Sequence, residues 1–531
     1  MIEPFQPDNW NGILIVGDRA SKGDLNIGKP FRSSEGIKLG QFLSQLGVKL
    51  NECAQVYAYP GYPKGGTFDS LLGTKTDVKR GTHVEMCGAY VDVLLADGVK
   101  KAREFIMKMR PRLVVALGKG GAMVVHGEVS VDDWRGTMGH FEGFPTMLSH
   151  SPSRVFKQRH LEFILGHDIR RCQQVLDEGD WGKREERFIL WPTFEEAIAA
   201  LEKLHEMARA GAHIACDIET RFADQISYIG FAWSKEDAIC IPFMRPKDLG
   251  FHWTDDEELE IVSRVRDILE CPEVRVSGQN YHYDAQYLAR NWGIKSHLWF
   301  DTMVGFHCIF SGDFPKNLAF IASLFCEHYE YWKDESENHE PTVEGEEAYM
   351  RYNCKDCCYT WEIAEALNNP GGVIDQFDAR QAWEFQRRQW HCLLVPMLRG
   401  ARYSEKMRLQ LLGETHPRKA ALENFIQDIV PEDCRPVVKT KTPFFNSTSQ
   451  LCKLFYDILG QPVVTAKRGP GVYTPSTDDA ALKVIGTREP LLKPLCEALL
   501  QLRSINVYIN TFLKEAKDPD ERMRTSYKEA G

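Results

Sequence analysis

The chain has 531 residues, 43% hydrophobic and 26% charged, with a formal net charge of −10 at pH 7. That length implies about three to four domains with cores of their own, and no apolar run approaches the ~20 residues of a membrane span. Met1 to Asn11 is polar and proline-containing, unlike a secretory leader. The fifteen cysteines, an odd and scattered number, read as reduced thiols of a cytoplasmic protein rather than as a disulfide framework.

In chain order, Ile13-Leu14-Ile15-Val16 reads as a buried strand opening into a loop with glycines at 17, 23 and 28. Lys100 to Met109 reads as a helix, and Leu113 to Leu117 as a second strand ending in Gly118. Strands alternating with helices predict a parallel α/β sheet, whose natural binding face is the carboxyl end of its strands.

This first segment, residues 1–176, resembles the uracil-DNA glycosylase superfamily, particularly its family-four branch. The resemblance is carried by Val16-Gly17-Asp18 through Gly28-Lys29-Pro30-Phe31, Pro111 to Gly118, Arg135-Gly136 and Ser149-His150-Ser151-Pro152-Ser153. It implies that Phe31 would stack on a flipped base, with His150 in the same pocket. The chain departs from the family in three places. No cysteine precedes Cys53, so no iron–sulfur cluster is expected. Val56-Tyr57-Ala58-Tyr59-Pro60 stands where a base-reading asparagine belongs, and His150 is displaced by one position. The expectation is a glycosylase-like architecture that holds DNA or a replication partner, with Phe31 and His150 read equally as packing and loop residues.

Residues 177–187 are charged and aperiodic and read as a linker. The helix Phe194 to Ala208 then leads into His213-Ile214-Ala215-Cys216-Asp217-Ile218-Glu219-Thr220, an apolar strand carrying two acids at i, i+2 and therefore on one face. Two carboxylates side by side repel, and they are tolerable where they face water or hold a hard divalent cation. Ser227 to Trp233 and Ala238 to Phe243 read as further strands. Gly278-Gln279-Asn280-Tyr281-His282-Tyr283-Asp284 brings a third carboxylate to the start of a helix, and Tyr352-Asn353-Cys354-Lys355-Asp356 opens another helix with Tyr352 and Asp356 on one face. Cys354, Cys357 and Cys358 cluster locally, but no second cysteine pair stands at a zinc-site spacing. Between these motifs, Lys333 to Glu347 has seven acidic residues and reads as a solvated loop with no site attached.

Residues 188–368 resemble the 3′-to-5′ proofreading exonuclease domain of family A DNA polymerases, the bacterial DNA polymerase I group, with a ribonuclease-H-like mixed sheet. The resemblance implies that Asp217, Glu219, Asp284 and Asp356 bind two divalent ions, Mg²⁺ or Mn²⁺, with Tyr352 orienting the attacking water. It also implies that Gln279, Asn280 and Tyr283 hold the terminal nucleotide. Two cations about 3.5 to 4 Å apart relieve charge on both the attacking and the leaving oxygen of a phosphodiester.

Residues 373–531 begin with a helix expected over Phe377 to Leu398 and resemble the entry to the polymerase module and its mainly helical thumb. Asn446, Lys467, Arg468, Arg503 and Asn506 are the implied phosphate contacts, with Lys439 and Lys441 adding to the local basic charge. The palm's metal-binding aspartates and the fingers have no counterpart, so polymerisation is expected only if a second chain supplies them or the sequence is a truncated product. The combined expectation is a multidomain α/β protein of a bacteriophage, acting on single-stranded 3′ ends and primer–template DNA in the bacterial cytoplasm. The alternatives are a non-catalytic DNA-clamping subunit of a split polymerase and a free-standing exonuclease of the ribonuclease D or Werner type.

Overall fold

The computed structural model describes residues 1–221, 225–245, 250–310, 312, 314–336, 342–436, 443–469, 472–514, 518, 520–528 and 530, excluding the side chains of 336, 343, 467–469, 472 and 473. Its fold is mixed α/β. The chain divides into two compact units, Met1–Leu394 with Ser526–Gly531, and Val395–Thr525.

The first unit contains two main sheets. Its N-terminal part supplies β1 (Ile13–Arg19), β2 (Ala54–Tyr59), the hairpin β3 (His83–Met86) and β4 (Ala89–Asp92), then β5 (Leu113–Leu117), β6 (Met138–Phe141) and β7 (Phe144–Ser149). Five of these form a sheet in the order β2-β1-β5-β7-β6, parallel except for β6. Ile13 to Val16 and Leu113 to Leu117 are buried on both faces, which is why they read as continuous apolar runs.

The second sheet follows from β8 (Arg187–Ile189), β9 (His213–Arg221), β10 (Gln225–Ala232), β11 (Asp237–Pro242), β12 (Arg275–Gly278) and β13 (Leu298–Asp301), in the order β13-β12-β9-β10-β11-β8. β9 runs antiparallel to β10 and parallel to β12. Its residues divide by face as the strand period requires. Ile214, Cys216 and Ile218 enter a core with Leu201 and Leu204 of the helix Phe194–Arg209 and Ile261 and Val265 of the helix Asp255–Leu269. Ala215, on the opposite face, packs with Met350, Cys354, Cys357 and Cys358 of the helix Val343–Asn368.

Three sequence expectations change here. The helix bearing Tyr352 and Asp356 begins at Val343 rather than at Tyr352, so the last five residues of the acidic stretch, Val343 to Glu347, are helical. Thr342 caps it through Gly345 N at 3.1 Å, and acids in a first turn complement the helix dipole. Glu346 is fully buried and receives two bonds from Arg221 Nη2, each 2.8 Å. Lys333–Ser336 forms a short 3₁₀ turn, while 337–341 lie outside the described residues. Residues 177–187 do not hang free either: Trp181 is buried, and Arg184 pairs with Glu362 while lying 4.1 Å over the Tyr359 ring. The helix expected from Phe377 starts at Arg380.

The second unit is mainly helical. β14 (Ala401–Arg402), β15 (Thr465–Gly469), β16 (Val472–Pro475) and β17 (Arg522–Met523) form two short antiparallel pairs. The helices Glu405–Ile429, Asp479–Arg488 and Lys493–Tyr508 enclose a core around Ile426, Phe455, Leu482 and Leu499. Among the described residues, no helix of the chain is long and apolar enough to cross a membrane.

Candidate functional site

The geometry of the site starts from strand lengths. β12 pairs with β9 only as far as Ser277 opposite Ala215, so β9 continues past the end of its parallel neighbour. Its backbone N–H at Ile218 is met by Asp284, whose Oδ1 accepts at 2.9 Å from the helix His282–Asn291. On the other edge β10 continues, with Gly230 opposite Asp217 and Tyr228 opposite Glu219. Gly230 has a steric reason for lacking a side chain. A Cβ there would lie 2.1 Å from Asn353 Oδ1 and 2.8 Å from Cys357 Sγ.

That close approach brings one face of the helix Val343–Asn368 onto the two acids. Tyr349 Oη donates to Glu219 Oε2 at 2.7 Å, and Asn353 Nδ2 donates to Asp217 Oδ2 at 2.8 Å. One turn further, Asp356 completes a group in which ligand oxygens of Asp217, Glu219 and Asp356 all lie within 4.8 Å of one another. Octahedral coordination at 2.0–2.1 Å needs oxygens about 3 to 4 Å apart. Three hard oxygen donors at this separation therefore fit a divalent cation of the Mg²⁺ or Mn²⁺ type after small side-chain movement. Asp284, the fourth expected ligand, lies outside that group and is anchored to the β9 backbone.

The electrostatics are those of acids crowded out of water. Burial, then Asp284, Glu219 and Asp356, raise the proton affinity of Asp217 far above the usual carboxylate range, with Lys333 opposing. Glu219 is pushed up to about 7 by burial and by Asp356, against the Tyr349 hydrogen bond, Lys333 and Arg221. Burial also raises Asp284, against the Ile218 N–H.

Lys333, from the stretch to which sequence reading attached no site, sits inside the group. Its Nζ donates to Asp356 Oδ1 at 2.8 Å, to Asp356 Oδ2 at 2.7 Å and to Tyr352 Oη at 2.9 Å. The adjacent Trp332 donates Nε1 to Asp356 Oδ1 at 2.6 Å. Tyr349, Asn353, Trp332 and Lys333 were all missed from sequence. The first two had a signal, since Tyr349, Tyr352, Asn353 and Asp356 share a face at i, i+3 and i+4 spacing.

Other expected contacts divide. Both ends of the Gln279 amide are engaged, Nε2 with Lys316 O at 2.8 Å and Oε1 with Thr302. Asn280 is exposed in the left-handed region, φ 55°, where Asp301 holds its N–H at 3.2 Å and that of Tyr281 at 2.7 Å. Tyr283 is 42% exposed, and its hydroxyl shares a 2.6 Å hydrogen bond with Thr220 beside the site. In the N-terminal sheet, Phe31 is buried against Tyr57 with ring centroids 4.7 Å apart, and His150 is buried. Burial, with Arg154 and Arg135 nearby, brings His150 down to about 3. In the second unit, Asn446, Arg503 and Asn506 line one cavity of about 670 Å³ together with Asp478 and Asp479. The side chains of Lys467 and Arg468, and all of Lys439 and Lys441, lie outside the described residues.

The chain is similar to a solved structure, the POL domain of Pol1 from M. smegmatis in complex with DNA primer-template and dNTP, at 15% sequence identity and a TM-score of 0.42. The match covers 64% of this chain and 52% of that one, so the chain spans about half the length of that structure. No protein-family model and no curated protein matches the sequence.

Proposed function

We propose that the first unit is a metal-dependent 3′-to-5′ exonuclease acting on DNA ends, with Asp217, Glu219 and Asp356 as its cation ligands. The observation that carries this reading is the convergence of those three carboxylates, with ligand oxygens within 4.8 Å, on and beside the stretch of β9 that runs past its pairing with the parallel neighbour β12. A divalent cation bound there would supply Lewis-acid charge to a phosphoryl oxygen and favour deprotonation of water. The protein's own groups prepare that chemistry. Asn353 and Tyr349 orient the Asp217 and Glu219 carboxylates, and the Ile218 N–H holds Asp284. Tyr352 Oη accepts from Lys333 at 2.9 Å, which fixes the phenol beside Asp356. Tyr283, exposed in the first turn of the helix His282–Asn291, would stack on a terminal base, with the exposed Asn280 just ahead of that helix. Gln279 supports the loop through Lys316 and Thr302 rather than standing ready for a ligand.

For the second unit we propose DNA-backbone contact through Asn446, Arg503 and Asn506. Two acids share that cavity, and Arg503 already donates to Thr477 O at 2.6 Å. Contact there would therefore position a strand weakly and without reading bases.

The test is digestion of a 5′-labelled single-stranded oligonucleotide by the purified chain in Mg²⁺ or in chelator. The expected result is a metal-dependent ladder shortening from the 3′ end, lost by at least a hundredfold in Asp217→Ala/Glu219→Ala with the fold retained. Activity persisting in that double variant, in a nuclease-free preparation, rules out the site. No digestion by the wild type points instead to a DNA-holding scaffold.

A further inference from the structure

Asp356 is the most heavily engaged carboxylate of the group. Oδ1 accepts from Trp332 Nε1 at 2.6 Å and from Lys333 Nζ at 2.8 Å, and Oδ2 accepts from the same ammonium at 2.7 Å. A carboxylate has about four lone-pair positions. Three are taken, and the one that remains, on Oδ2, suffices for one cation. A second divalent ion would have to displace the lysine.

Lys333 is held in place rather than resting there by chance. The Trp332 ring beside it is buried and stacks on Tyr359 at 4.1 Å. On its other side, Glu335 is tied by Lys355 at 2.7 Å. Upstream, Arg171 donates to Ser323 O at 2.7 Å and to Glu327 O at 3.0 Å, and Met138 N donates to Tyr329 O at 2.8 Å. The segment that delivers Lys333 is therefore clamped along its length by the N-terminal sheet and its helices. The ammonium also lies 4.6 Å over the Tyr352 ring, a favourable cation–π placement.

We propose that Lys333 is the second cation of this site: its ammonium holds, on Asp356 and Tyr352, the position a second divalent ion would otherwise take, and the carboxylate group binds a single divalent ion. The proposal rests on the exonuclease reading of the group and replaces the two-ion expectation by one ion and one lysine. The same geometry makes Lys333 a positioning residue, because its charge acts through the Asp356 carboxylate and the Tyr352 hydroxyl. A tethered ammonium is not removed by chelators and does not exchange with solvent ions.

Mn²⁺ titration of the full chain, followed by electron paramagnetic resonance, tests this without relying on turnover. The wild type is expected to bind one Mn²⁺ with an isolated-ion spectrum. Lys333→Met and Lys333→Gln should each bind two, the second at least tenfold tighter than any second ion in the wild type, with a spin-coupled signal. Lys333→Arg should keep one. Wild type and both neutral variants binding the same number of ions overturns the lysine's role and leaves the carboxylate site standing. Unchanged Mn²⁺ binding in Asp217→Ala/Glu219→Ala overturns the carboxylate site itself.

Discussion

Glu219 couples the site to pH. Its carboxyl is raised from 4.5 to about 7 by burial first and by Asp356 second, which corresponds to roughly 3 kcal/mol between its two protonation states. Because the folded chain holds this proton more tightly than the unfolded chain, the associated stability is fully present at low pH and is lost as pH rises through about 7. In chelator, the melting temperature should therefore fall between about pH 4.5 and about pH 7 and flatten above that, and Glu219→Gln should remove part of that fall. A bound divalent cation replaces the proton, so Mn²⁺ affinity should rise with pH through about 7, and Glu219→Gln should reduce that slope. Affinity independent of pH across that range would show that Glu219 is not a ligand. The acids were legible because two carboxylates at i, i+2 on an apolar strand are costly without a purpose. Lys333 was not, because a lone lysine opening an acidic run looks like any solvated charge.

At the scale of elements, the site depends on one helix lying unusually close to one strand. Gly230 permits that approach, and Gly230→Ala would set a methyl 2.1 Å from Asn353 Oδ1. Overpacking of this kind costs about 1–3 kcal/mol. Urea unfolding should register that loss, and Mn²⁺ affinity should fall with it, because the displaced Asn353 orients Asp217 at 2.8 Å. Unchanged stability would mean that the helix slides without penalty. The helix itself was read a turn or more too short at its start. Its first turns are acidic, and the tertiary partners Arg221 and Tyr228 explain why Glu346 is buried there. The strands of both sheets were easier to read, since buried parallel strands are apolar throughout and β9 alternates by face.

Across the first unit, one hydrophobic cluster contains Ile13, Ile15 and Leu117 of the N-terminal sheet, Trp181 of the expected linker, and Phe300, Phe306, Trp332 and Trp383 of the second half. The N-terminal part is therefore structurally bound to the carboxylate site, whatever becomes of its own pocket. A chain lacking residues 1–176 should expose that shared core, bind the dye ANS, and hold Mn²⁺ more weakly or with altered stoichiometry as the segment delivering Lys333 loses Arg171 and Met138. Cooperative unfolding and unchanged Mn²⁺ binding in that fragment would show the N-terminal part to be dispensable.

By itself the sequence determined the mixed α/β class, the strand bearing Asp217 and Glu219, the helices bearing Asp284 and Asp356, and the helical character of the C-terminal unit. Each of these depends on local periodicity and on the chemistry of residues close together along the chain. Only the tertiary structure decided that three carboxylates group while Asp284 turns to the backbone, that Phe31 and His150 are buried, and that Lys333 stands on Asp356. Those outcomes depend on which distant groups come within hydrogen-bond reach once the sheets and helices pack, and burial makes every such pairing obligatory.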